Sequence, residues 1–149
     1  LVRYCNKNKI TFTRSRPYRK NDNCYVEQKN NTIVRRYVGY FRYDTEEELK
    51  ILNEIYNVVR ILVNFFYPSQ KLISKTRIGS KVKKKYDTPK TPYMRLLECN
   101  HISEDVKEKL KKYFEKLNPC ELQRKLLRLQ DKLQRFNKYK YMQEKTKCS

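Results

Sequence analysis

Hydrophobic residues keep helical spacing most clearly across Leu49, Leu52, Ile55, Tyr56, Val59, Leu62, Val63 and Phe66, which recur at intervals that place them on one broad face. Just ahead, Asp44-Thr45-Glu46-Glu47-Glu48 sets Thr45 and Glu48 in a capping box and puts three acids at the positive end of a helix dipole. Pro68 stops the run. The pattern predicts a helix over 45–66 whose apolar face packs on a sheet and on the helix before it. A second series, Leu122, Leu126, Leu129, Leu133 and Phe136, alternates intervals of four and three behind the start signal Asn118-Pro119-Cys120-Glu121. That seam fits either a coiled-coil contact with a second subunit or packing on the chain's own helices. Between the two, Pro92 opens a short helix through Cys99, and Ser103 caps another running to about Leu117.

Nearer the start, Ile10-Thr11-Phe12-Thr13 is β-branched, aromatic and alternating in polarity, which predicts a strand. A lone strand cannot satisfy its own backbone, so its partners are expected upstream of Leu1. The first residue is not Met, and Leu1-Val2-Arg3-Tyr4-Cys5 reads as the last turn of an earlier element, so the chain is expected to be a fragment. After the strand, Pro17 and Lys20-Asn21-Asp22 predict a loop, with Asn21 or Asp22 capping a helix that Gly39 ends. On that helix Val26, Ile33 and Tyr37 fall within about 40° of one another, and Glu27 lies about 100° from them, at the border of the core. The residues three and four away from Glu27 are Asn23, Cys24, Asn30 and Asn31. No Lys or Arg is placed to pair with it along the helix. Beside a loop carrying Arg14, Arg16, Arg19 and Lys20, such an acid is a candidate to hold a cation near phosphate.

Charge narrows the partners. Thirty-six Lys and Arg against 16 Asp and Glu leave a formal +20 over 149 residues, a balance suited to a polyanion. It does not choose DNA over RNA, and the many Lys, Asn, Ile and Tyr residues are also what an A/T-rich genome encodes. The excess is uneven: 45–66 holds four acids and two bases. Over 67–92, by contrast, Lys71, Lys75, Arg77, Lys81, Lys83, Lys84, Lys85 and Lys90 face the single acid Asp87, with Gly79, Pro89 and Pro92 breaking regular structure. This predicts an extended basic linker whose cations follow a phosphate backbone, the alternative being a solvated loop. Lys138, Lys140, Lys145 and Lys147 read as a fraying basic tail.

Other chemistry is sparse. The cysteines Cys5, Cys24, Cys99, Cys120 and Cys148 are odd in number and form no Cys-x-x-Cys pair, so they read as reduced thiols of a cytosolic protein. Cys99 and His101 are two ligands without a second pair, short of a zinc site. No apolar run reaches the roughly 20 residues of a membrane span, and no signal peptide is visible.

The block NDNCYVEQKN, preceded by ITFTRSRPYRK and followed by NTIVRRYVGY, resembles the surroundings of the last acid of the Asp-Asp-Glu triad in insertion-sequence transposases with a retroviral-integrase-like core. The likeness continues through VNFFYPSQKLISKTRIGSKVKKKYDTPKTPYMRLL. Tyr25 departs from the family's usual His, and Asn31 from a common aromatic. The resemblance implies an α+β, mainly helical chain. Residues 1–68 would be the C-terminal part of a ribonuclease H-like core, one strand plus helices, followed by a basic linker at 69–92 and a helical region at 93–149.

It also implies a chemistry. In such enzymes two Asp and one Glu hold two divalent ions, Mg²⁺ or Mn²⁺, one activating the attacking oxygen and one steadying the leaving oxygen. Glu27 matches the third ligand, and the partner implied is DNA, mobile-element ends and target, bound by a homo-oligomer in a prokaryotic cytoplasm. The first two acids are missing: Asp22 belongs to the loop, and Asp44 and Glu46 to Glu48 have better explanations as a cap and its dipole partners. The chain alone is therefore expected to bind DNA through Arg14, Arg16, Arg19, Lys20, Lys81, Lys83, Lys84 and Lys85 without cleaving it. Competing readings are a non-catalytic nucleic-acid-binding module and a decayed transposase remnant.

Overall fold

A computed structural model describes residues 1–12 and 14–147, with side chains for all of these except Lys20 and 143–147. It is mainly helical with one two-stranded antiparallel sheet, and its contacts divide into two compact units, Leu1–Tyr40 and Phe41–Ser149.

The first unit opens with α1 (Val2–Lys7), which buries Cys5. A 3-10 turn (Lys20–Asn23) leads into α2 (Cys24–Lys29), a π turn (Asn30–Arg35) and α3 (Arg36–Val38). The strand expected at 10–13 does not form over residues 10–12, where Ile10 and Phe12 are exposed, and Thr13 lies outside the described residues. Without neighbouring strands, nothing rewards extended pairing there. The expected stripe of Val26, Ile33 and Tyr37 is also broken. A π turn inserts one residue into the α repeat and rotates all that follows by about 100°. Ile33 and Tyr37 accordingly turn inward to half-burial while Val26 stays 68% exposed. At that turn the Thr32 hydroxyl donates to the Gln28 carbonyl at 2.9 Å, intruding on the ladder. Gly39 ends the helix as expected, with the positive φ of 71° that only glycine adopts freely, and Arg35 lies over the Tyr40 ring at 4.5 Å.

In the second unit, α4 (Glu46–Ile61) continues into a π turn (Leu62–Phe66). The Thr45–Glu48 capping box forms as expected. The buried face is Glu48, Ile51, Ile55, Val58, Val59 and Leu62. This face is rotated from the expected one, so Ile51 and Val58 go in while Leu49 is exposed. Its partner is not a sheet but α7 (Pro119–Lys147), whose Leu126, Leu129 and Leu133 are buried. The leucine seam thus closes within the chain, leaving Phe136 exposed at its end. Asn118 caps α7, its Oδ1 accepting from the N–H groups of Cys120 and Glu121.

After the α4 extension come β1 (Leu72–Ile78) and β2 (Lys81–Tyr86), where a linker is expected from composition. Next are α5 (Pro92–Leu97), capped by Thr91, and α6 (Glu104–Phe114). Phe65 and Phe66 of the π turn meet Tyr93 of α5 and Tyr113 and Phe114 of α6, with ring centroids 4.8 to 6.1 Å apart across the cluster. This second, aromatic core ties the region after the hairpin back to α4. No helix among the described residues is long and apolar enough to cross a membrane.

Ile55 and Leu126 are 0% and 1% exposed, so truncating either to alanine is expected to cost about 2–5 kcal/mol. Leu49→Ala, on the exposed side of the same helix, should stay within about 0.5 kcal/mol. Urea denaturation compares them, and equal losses at the three positions would show that α4 and α7 do not share this face.

Candidate nucleic-acid interface

Exposed basic residues occur along much of the chain, and two stretches, one within each unit, carry the cations singled out from sequence. In the first, Arg14, Arg16 and Arg19 are exposed in the loop ahead of α2; the Lys20 side chain lies outside the described residues. Arg16 is not free. Its Nε and Nη2 donate to Asp22 Oδ2 and Oδ1 at 2.9 Å each, and its backbone N–H adds a third bond to Oδ2 at 3.0 Å. Hydrogen bonding to Arg16 holds the Asp22 carboxyl below its usual range. Asp22 therefore closes the loop instead of capping the helix, and Asn23, at the N-cap position of α2, makes no side-chain cap bond.

Glu27 sits in the first turn of α2. It is exposed, not at the border of a core, because the helix residues around it turn no apolar side inward before the π turn. Its side chain makes no hydrogen bond or ion pair with the described residues. Among those residues no group of three His, Cys, Asp or Glu is placed to hold a metal. Cys5, Cys24, Cys99 and Cys120 are free thiols, and Cys148 lies outside the described residues.

The second place is the hairpin. Every residue of β1 and β2 is exposed, and from Leu72 to Tyr86 the chain carries Lys75, Arg77, Lys81, Lys83, Lys84 and Lys85 with no acid. Gly79 and Ser80 make the two-residue turn. Gly79 takes φ +59°, which suits the first position of a II′ turn and lets the strands keep their twist. Leu72 pairs with Tyr86, and a bulge at Ile73 resets the register so that Ser74 faces Lys85 and Ile78 faces Lys81.

A two-stranded ribbon in water is marginal by itself, and this one is fastened at its base. Arg95 of α5 donates from Nη1 to Asp87 Oδ2 at 2.6 Å and from Nη2 to the Ser69 carbonyl at 2.7 Å. Asp87 also accepts from the Lys71 N–H and returns its own N–H to the Lys71 carbonyl. Ser69 and Lys90 form an isolated antiparallel bridge, and Lys90 reaches both carboxylate oxygens of Glu98. The Arg95 guanidinium, then the Lys71 N–H, hold the Asp87 carboxyl below the usual aspartate range. None of these base residues is evident as functional from sequence. The hairpin itself had a signal, Ile73, Thr76 and Ile78 ahead of Gly79-Ser80 with Val82 and Tyr86 behind it, which the density of lysine obscured.

A groove of about 720 Å³ lies between the entry to α4 and the C-terminal half of α7, lined in part by Arg42, Asp44, Lys138 and Lys140. Its charges largely answer one another: Asp44 takes both Lys140 and, at 3.1 Å, Arg42. Glu48, 1% exposed, is pushed up by burial, but hydrogen bonds from the N–H groups of Thr45 and Asp44 and from the Thr45 hydroxyl, with Lys140 nearby, bring it below its ordinary value. The groove is therefore a structural ion-pair network, whereas the hairpin carries its cations with no acid in its own strands.

A protein of Sinorhizobium fredii (strain NBRC 101917 / NGR234), uncharacterized protein y4rM, is 50% identical over 95 residues, 64% of this chain, and the chain spans about a quarter (27%) of that relative's length. No family model and no solved structure matches.

Because the folded Asp87 carboxyl titrates below its unfolded value of about 3.9, the clamp's stabilisation is fully present above that value. It is lost as the pH falls through the lower folded pKa. The Asp87 carboxyl carbon resonance is expected to titrate below the ordinary range and to move back toward it in Arg95→Met. Identical midpoints in the two proteins would remove Arg95 as the cause.

Proposed function

We propose that this chain is a DNA-binding part of a transposase of the integrase-like Asp-Asp-Glu kind, working on DNA in a prokaryotic cytoplasm. The observation that carries the DNA-binding half is the hairpin: six cations and no acid on a fully exposed ribbon, clamped to the body through Arg95. An element of that kind has no counter-charge of its own, and a polyanion supplies it through release of condensed counterions. Arg14 and Arg19 add exposed cations in the first unit, whereas Arg16 serves Asp22.

The catalytic half rests on the sequence resemblance around Glu27 and on its exposure without an ionic partner among the described residues, a condition that leaves a carboxylate free to accept a metal. In the longer protein, Glu27 would contribute one ligand to Mg²⁺ or Mn²⁺, and the bound ions would supply charge neutralisation for cleavage and strand transfer. A homo-oligomer that holds two DNA ends belongs to the same proposal, with its contacts elsewhere than the α7 seam. The hairpin alone would equally serve a non-catalytic nucleic-acid-binding module, so the two readings divide at Glu27.

Fluorescence anisotropy with duplex DNA over a salt series tests the first half. Replacing Lys81, Lys83, Lys84 and Lys85 by Gln is expected to flatten the log affinity against log salt line by about three, while Glu27→Gln leaves it unchanged. An unaltered slope in the lysine variant would refute the hairpin as the binding element. In the longer protein, Glu27→Gln should abolish strand transfer and spare DNA affinity; retained strand transfer leaves only the binding module.

A further inference from the structure

The two faces of the hairpin differ. Opposed residues of an antiparallel pair share a face, so Ser74, Thr76 and Ile78 lie with Lys85, Lys83 and Lys81. This face is a row of small or apolar side chains beside a column of lysines about 6.8 Å apart. The other face sets Lys75 opposite Lys84 and Arg77 opposite Val82. Like charges directly opposed weaken a ladder. The fold keeps that pair nonetheless, on a ribbon held from its base.

Arg77 is placed unlike the lysines. Its Nε donates to the Gly79 carbonyl at 3.1 Å, which ties the guanidinium to the turn. The terminal nitrogens make no hydrogen bond among the described residues, so a pre-oriented fork is left for an outside acceptor. Arginine so held loses less freedom on binding than a lysine ammonium and matches a planar pair of acceptors. Guanine offers such a pair, O6 and N7, in the major groove, and a valine beside it can meet a thymine methyl. The B-form major groove, about 12 Å wide, admits a two-stranded ribbon. The A-form RNA groove is too deep and narrow to be read that way.

We infer that the β1–β2 hairpin enters the major groove of double-stranded DNA, where Arg77 reads guanine from the tip and Lys81, Lys83 and Lys85 hold phosphates along one side. This rests on the DNA-binding reading above and adds to it a groove, a base and a division of work between arginine and lysine. Arg95 is a positioning residue in this arrangement, since it touches the hairpin's base and not the nucleic acid.

The test offers the chain a randomised pool of short DNA duplexes and sequences what is bound. The native protein is expected to enrich a guanine position, and Arg77→Lys to lose that enrichment, with affinity for the enriched duplex falling about ten-fold or more. The salt slope stays the same because the charge is kept. Lys83→Gln is expected to weaken all duplexes alike and to lower the slope by about 0.9. No enrichment, an unchanged preference in Arg77→Lys, or equal affinity for an RNA duplex of the same sequence overturns the groove reading while general DNA binding stands. Failure to bind any duplex with a salt dependence removes both.

Discussion

The second unit depends on one contact, the burial of the α4 face against the leucines of α7. Ile51, Ile55, Val58, Val59 and Leu62 meet Leu126, Leu129 and Leu133, and at about 25 cal/mol per Å² of apolar surface removed from water this seam outweighs any of the exposed ion pairs nearby. Everything else is attached to it. The π turn at the end of α4 presents Phe65 and Phe66 to the aromatic rings of α5 and α6, and α5 carries Arg95, the residue that fastens the hairpin. A fully exposed, cationic ribbon is thus fastened, through α5 and the aromatic cluster, to a buried apolar seam.

The helices were legible because their signals are local. Thr45 and Glu48 announce a capping box whatever surrounds them, and Asn118-Pro119 does the same for α7. Which side of α4 is buried was less legible. Leu49 and Ile51 are equally apolar, and only α7, more than fifty residues away, decides that Ile51 goes in. The phase of the first unit was hidden for a different reason. A single inserted residue at Asn30–Arg35 rotates everything after it, and no residue type marks a π turn. Ile10-Thr11-Phe12 shows the limit of β propensity, which describes how a side chain fits a pleated surface and counts for little where no neighbouring strand is present.

The candidate site divides along the same line. Lysine density pointed to 81–85 directly, but not to the geometry that separates Lys81, Lys83 and Lys85 from Lys84, because register is a property of two strands together. Arg77 and Arg95 look alike in the sequence. One is tied to a turn carbonyl and the other to Asp87 and Ser69, so one is available to a ligand and the other is consumed in holding the ribbon. Glu27, whose place on the helix suggested the border of a core, is exposed instead, because the π turn after it shifts the apolar side.

The pairing of α4 with α7 also sets an order in time. On the ribosome α4 emerges early, and its greasy side has no lid until Leu133 has cleared the exit tunnel, after the hairpin, α5 and α6 have already been made. Through that interval the nascent chain displays an uncovered apolar stripe beside an exposed cationic hairpin. Any truncation upstream of Leu126 would leave the stripe bare for good, and such products are expected to go to chaperones and proteases.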